Sequence, residues 1–185
     1  MRLYGLMMLS LAFAAISCQK ESSAPAPDVP RQVVRESFYV YSAVCPSLGK
    51  MSSLILPYAN TEMMTLFLEN VSKEFSNNEI IMQVDGAGWH KSNKLNIPNN
   101  IHFILQPPYS PEVNPTEHIW DEIREKYLSN KIFDSINITM NKVCKGIQDL
   151  ASKPDFVKSL TFFGVVRKAG FSSIVQRNEL NSSTQ

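Results

Sequence analysis

Hydrophobic positions along the chain fall into short blocks whose spacing switches between that of strands and that of helices. Ser37–Val44 (SFYVYSAV) is aromatic and β-branched, which predicts a strand. Cys45-Pro46-Ser47-Leu48-Gly49-Lys50 reads as a turn, and Met51–Leu56 as the next strand, antiparallel across a short hairpin. Asn60 and Thr61 suit the cap of a helix running to about Phe75, with Met63, Met64, Phe67, Leu68, Val71 and Phe75 at helical spacing. Glu79–Val84 (EIIMQV) predicts a buried strand that ends at Asp85. A short helix is expected over Trp89–Leu95 and another strand over Ile101–Leu105 (IHFIL). Pro115–Leu128 predicts a helix with Ile119, Trp120, Ile123 and Tyr127 on its inner face, and Ser135–Leu150 a further helix. The order is that of an α/β domain with a mixed sheet.

The first thirty residues follow neither pattern. Met1-Arg2 supplies a positive start, and Leu3–Ile16 is an almost wholly apolar run of 14 residues. Ala15-Ile16-Ser17-Cys18 follows, then the polar, Pro/Ala/Ser-rich stretch Gln19–Pro30. A charged start, an apolar stretch and small residues before a cut site describe a secretory signal. The run is short for a transmembrane helix, which needs about 20 residues. Its ending resembles a bacterial lipoprotein signal, with Cys18 matching the lipidated first residue of the mature chain. Ala15 stands where leucine is usual. The alternative is a buried N-terminal helix of the domain. The expected organisation is a signal over residues 1–17, a flexible tether over 18–30, a catalytic-type domain over 31–170 and a polar tail over 171–185.

Composition adds exclusions. With 185 residues the chain holds one domain of ordinary size plus a tail. A net charge of +1 argues against a self-sufficient DNA-binding module, which is usually clearly basic. The three cysteines, Cys18, Cys45 and Cys144, form no CxxC pair and give no zinc spacing.

The candidate chemistry lies in two carboxylates. Asp85 ends an apolar strand, at the sheet edge where sites in α/β folds gather. Glu117 falls in the first turn of a helix, behind Gln106–Glu117, a window that contains four prolines. Phosphodiester chemistry with two divalent ions needs several carboxylates converging on hard cations. Plainer explanations exist for each residue. Asp85-Gly86 is a common turn pair. Asn114 fits an N-cap, Pro115 the first helical position, and Glu117 the closing acid of a capping box. His90 alone, Trp89 and Trp120 are ordinary structural residues, and Asp121 with Arg124 is a surface pair.

Taken together, DGAGWHKS and IHFILQPPYSPEVNPTEHIWDEIR strongly resemble the DDE endonuclease domain of bacterial insertion-sequence transposases of the mariner-like superfamily. The stretch FYVYSAVCPSLGKMSSLILPYANTEMMTLFLENVS looks like the same family's hairpin and helix, so the resemblance spans about residues 29–170. It implies an RNase H-like fold, Mg²⁺ or Mn²⁺ as cofactor, and DNA as the partner that is nicked and joined. It gives Asp85 the role of second catalytic acid and metal ligand and Glu117 that of third, 117 − 85 = 32 positions apart. The family's first aspartate lies on the first, central strand, before the hairpin. Asp28 is the sole aspartate upstream of Asp85 and sits in the tether; Glu36 belongs to the lead-in of the next strand. Neither is assigned the role.

The resemblance therefore implies an RNase H-like mixed sheet that lacks its central strand. Ser37–Val44 and Glu79–Val84 are expected to have unpaired edges open to self-association. The expected function is a truncated, inactive remnant of a strand-transfer enzyme, fused by chance to a lipoprotein start. A lipid-anchored envelope protein that uses the domain as a binding or structural module is the competing reading. A split enzyme whose missing strand comes from another polypeptide is a third. The signal-like start points to the bacterial envelope and the domain to the cytoplasm.

Overall fold

The computed structural model describes residues 4–10, 37–85, 94–105, 114–129, 133 and 135–162, and for residues 4–10 the backbone alone. Five strands form one sheet: β1 (Tyr4–Ser10), β2 (Tyr39–Cys45), β3 (Lys50–Leu56), β4 (Glu79–Val84) and β5 (Ile101–Leu105). Their order is β3-β2-β1-β4-β5. β1, β4 and β5 run parallel, and β2 and β3 are antiparallel additions on one side. This is the mixed sheet of an RNase H-like fold.

The centre of that sheet corrects the sequence expectation. The strand expected to be missing is present, supplied by Tyr4–Ser10 from within the apolar N-terminal run. It pairs parallel with β4 from Tyr4↔Glu79 to Met8↔Gln83 and antiparallel with β2 from Met8↔Val44 to Ser10↔Ser42. Both strands expected to carry unpaired edges are paired on both sides, so the physical basis for self-association through them is removed. The reason for the misreading is chemical. A central strand in the parallel part of a sheet is buried on both faces and reads as a continuous apolar run without alternation. That is also how an export signal reads.

α1 (Thr61–Glu74) covers one face. Its Met64, Phe67, Leu68 and Val71 are buried against Tyr41, Ala43 and Cys45 of β2 and Ile80, Met82 and Val84 of β4. Met63 and Phe75, expected on the same stripe, pack at its margin. Asn60 caps the helix as predicted, its Oδ1 accepting from Met63 N at 2.9 Å. The buried Tyr41 fixes this start from below. Its hydroxyl donates to Tyr58 O (3.1 Å) and accepts from Asn60 N (3.3 Å).

The other face carries α2 (Pro115–Ile123), α3 (Ile136–Ala151) and α4 (Pro154–Thr161). Ile119, Trp120, Ile123, Val143, Leu150 and Val157 pack there with Val40, Val44 and Met51 of the hairpin. α2 does not run unbroken to Leu128. It widens at Arg124–Leu128 into a π turn closed by Ser129 N→Arg124 O at 2.7 Å. That turn holds Tyr127 on α3, where its hydroxyl donates to Asp149 Oδ2 at 2.6 Å. Gly146 leaves the space: a Cβ there would stand 3.1 Å from the Tyr127 ring.

α4 is an element the sequence reading did not delimit. It sits on the hairpin turn, where Gly49 adopts φ +64° and a Cβ would lie 1.8 Å from the Pro154 carbonyl oxygen. Only glycine meets both demands. Among the described residues, no helix is long and apolar enough to cross a membrane. The expected helix over Trp89–Leu95 lies outside the described residues except for Lys94 and Leu95, which are not helical.

Candidate functional site

Burial along β4 alternates. Ile80, Met82 and Val84 enter the α1-side core, while Glu79, Ile81 and Gln83 are half-buried on the opposite face. One further residue along that alternation puts Asp85, also half-buried, on the α2 side at the end of the strand. Glu117 is the third residue of α2, which lies over β1 and β2 on that same face. The fold thus carries the two sequence-predicted acids to one side of the sheet.

The start of α2 follows the predicted chemistry in part. Asn114 is the N-cap and Pro115 opens the helix. The Asn114 Oδ1 accepts from Thr116 N at 3.2 Å, and Glu117 N approaches Asn114 O at 3.3 Å. The first turn therefore has its side-chain cap from Asn114. Among the described residues no hydrogen bond or ion pair engages the half-buried Glu117 carboxylate. A carboxylate in this place is favoured by the positive end of the helix dipole.

Strand register locates the position that sequence reasoning left open. Met8 pairs with Gln83 in the parallel β1–β4 ladder, an offset of 83 − 8 = 75. The recorded ladder ends there; carried two positions further, 85 − 75 = 10, the same offset would bring Ser10 level with Asp85. Ser10 in turn pairs with Ser42, and Ser42 with Ser53. The paired row across the sheet reads Ser10, Ser42, Ser53. The last two are joined by a 2.7 Å hydroxyl–hydroxyl contact, with Ser42 fully buried. No local signal in the sequence marks Ser10, because its meaning depends on a strand 75 positions away.

A two-ion centre does not fit these residues. Several converging acids are needed, and where β4 ends and α2 begins the described residues offer Asp85 and Glu117. Among the described residues no group of three His, Cys, Asp or Glu side chains is placed to hold a metal ion. Cys18, Asp28, Glu36, His90 and the proline loop before Asn114 lie outside the described residues. His102 and Glu79 pair at 3.1 Å across β5 and β4. They mark the far end of β4, about 20 Å from Asp85 at roughly 3.3 Å per residue.

The chain is similar to one known family, one relative and two solved structures. The family described as DDE superfamily endonuclease matches residues 21–138. The uncharacterized protein y4pE/y4sA of Sinorhizobium fredii (strain NBRC 101917 / NGR234) is 36% identical over 123 residues, covering 66% of this chain and 91% of its own. Among solved structures, the Mos1 strand transfer complex aligns with a TM-score of 0.48 at 14% identity, over 88% of this chain and 56% of that one. The BIV integrase catalytic core domain aligns with a TM-score of 0.42 at 10% identity, over 76% of this chain and 82% of that one. This chain therefore spans little more than half the Mos1 chain. By the extent of the family match and the identity of the Sinorhizobium relative, the chain belongs to the DDE superfamily of endonucleases.

Proposed function

We propose that this chain is a domain descended from DNA strand-transfer enzymes that does not itself nick or join DNA. DNA as partner and Mg²⁺ or Mn²⁺ as cofactor are what membership of the superfamily implies for an intact enzyme. The observation that carries the reading is the β1–β4 ladder, which ends at Met8↔Gln83 and, continued by two positions, brings a serine, Ser10, level with Asp85. A serine hydroxyl is neutral at pH 7 and cannot replace a carboxylate as a hard anionic ligand. Asp85 and Glu117 are read as the second and third acids, and among the described residues none is read as the first.

The test uses the purified chain and supercoiled plasmid with Mg²⁺ or Mn²⁺. Background-level nicking is expected, unchanged in Asp85→Asn and Glu117→Gln. Metal-dependent nicking by the wild-type chain that disappears in Asp85→Asn would overturn the proposal. The competing reading, an envelope protein anchored through Cys18, requires removal of residues 1–17 and hence of β1.

A further inference from the structure

Acids and bases balance over the chain, 17 against 18, yet the outer face of α3 carries no acid. Its exposed polar residues are Asn137, Asn141, Lys142, Lys145 and Gln148, and Ser152 and Lys153 continue the exposed surface past its end. The one acid on the helix, Asp149, is half-buried and accepts from the Tyr127 hydroxyl at 2.6 Å. Every other helical segment among the described residues exposes a carboxylate: Glu62 and Glu74 on α1, Asp121 on α2, Glu125 on the π turn and Asp155 on α4. The cations differ in the same way. Arg124 pairs with Asp121 and Lys126 with Glu122, while Lys126 and Lys158 also lie over the rings of Phe156 and Phe162. Among the described residues no ion pair or ring engages Lys142, Lys145 or Lys153.

We propose that the outer face of α3, continued by Lys153, is a docking surface for the phosphate backbone of duplex DNA. DNA as the partner rests on the descent proposed above; the surface rests on α3 itself. Unpaired ammonium groups attract phosphates, and the amides of Asn137, Asn141 and Gln148 can donate to phosphate oxygens. The helix has 16 residues and is about 24 Å long at 1.5 Å per residue, enough to follow about seven base pairs. A second copy is a poor occupant, because a two-fold contact through this face would set lysine against lysine. A bilayer is another, because Ile138 is the sole large apolar side chain exposed on the helix. The surface is separate from the acids. α3 packs over β3, and Asp85 follows β4, three strands away in the sheet, or about 14 Å. With three cations the contact is weak and salt-sensitive, which accords with the near-neutral chain.

The experiment titrates the full chain into a fluorescein-labelled 20-base-pair duplex of arbitrary sequence and reads anisotropy at several KCl concentrations. Binding is read in EDTA, where no metal-dependent cutting occurs, so the outcome is separate from that of the nicking assay. Wild type is expected to bind with a Kd of about 10 μM at 50 mM KCl, and log affinity to fall against log salt with a slope of about −3. Lys142→Gln with Lys145→Gln should weaken binding at least fivefold and make the slope shallower by about 2. Lys73→Gln with Lys94→Gln removes the same charge elsewhere and should change affinity less than twofold. All four lysines are exposed, so neither pair disturbs the core. No binding by wild type at 100 μM protein in 50 mM KCl would overturn the proposal. So would equal losses in the two double variants, an unchanged salt slope in the α3 variant, or capture of phosphatidylserine vesicles without capture of the duplex.

Discussion

Met8 and Gln83 close the parallel β1–β4 ladder, and two residues beyond each of them along the chain stand Ser10, the last residue of β1, and Asp85, the first residue after β4. The relationship is decided by backbone hydrogen bonding between segments 75 positions apart. It suggests a direct repair. Ser10→Asp would add a third acid to Asp85 and Glu117, and Mn²⁺ should then bind at least tenfold more tightly than to wild type, about 1.4 kcal/mol. Calorimetric titration with Mn²⁺ reads this, and a metal-dependent rise in Tm accompanies it because the ion binds the folded state. Adding Glu117→Gln should reverse both changes. No response to Mn²⁺ in Ser10→Asp would show that the three positions do not converge.

Gly49 is the tightest joint between the hairpin and the helical layer. Gly49→Ala combines a left-handed backbone, costing about 1–2 kcal/mol for a non-glycine residue, with a Cβ 1.8 Å from the Pro154 carbonyl oxygen. A loss of about 3 kcal/mol or more is expected in urea denaturation, from strain together with displacement of α4. The neighbouring Leu48→Ala, at an exposed position, should change stability by less than about 0.5 kcal/mol.

Asn60→Ala removes the side-chain cap of α1 and should cost about 1 kcal/mol. Tyr41→Phe removes the hydroxyl that binds Tyr58 O and Asn60 N at the same joint. The two changes touch one hydrogen-bonded unit, so their combined effect should fall short of the sum by at least about 0.5 kcal/mol. Strict additivity in a double-mutant cycle would show that Tyr41 and Asn60 hold the helix start independently.

Donation to Asp149 raises the Tyr127 hydroxyl above its ordinary pKa, with burial a smaller cause. With the folded-state value above the unfolded value of about 10, the contribution of this bond is fully present below pH 10. It is lost as pH rises through the folded-state value. Tyr127→Phe should lower stability by about 1 kcal/mol at pH 7 and flatten its decline above pH 10. Equal alkaline declines in wild type and variant would refute the assignment.

Much of the fold was legible because its determinants are local. Glu79–Val84 and Ile101–Leu105 are strands as read, since compact apolar blocks bounded by polar turns have few alternatives. Asn60 caps its helix as read, because a cap needs only a side-chain oxygen and an amide two or three residues on; Ser135, read as the first residue of its helix, is its N-cap. The π turn at Arg124–Leu128 left no trace in the pattern: Tyr127 falls on the inner face of an α-helix or a π turn alike, and Gly146 on α3 supplies its seat. Asp85 and Glu117 were recognisable as residues, but nothing local places them on one face of a sheet.

The sequence by itself determined the family motifs, the helix starts and the two acids, each through neighbours within a few positions. Tertiary structure alone decided what Tyr4–Ser10 is. An unbroken apolar run has no periodicity to separate a strand buried on both faces from an export segment, so its identity rests on whether β2 and β4 bond its edges. The same pairing sets Met8 against Gln83, because register joins residues through backbone hydrogen bonds that side-chain pattern does not encode.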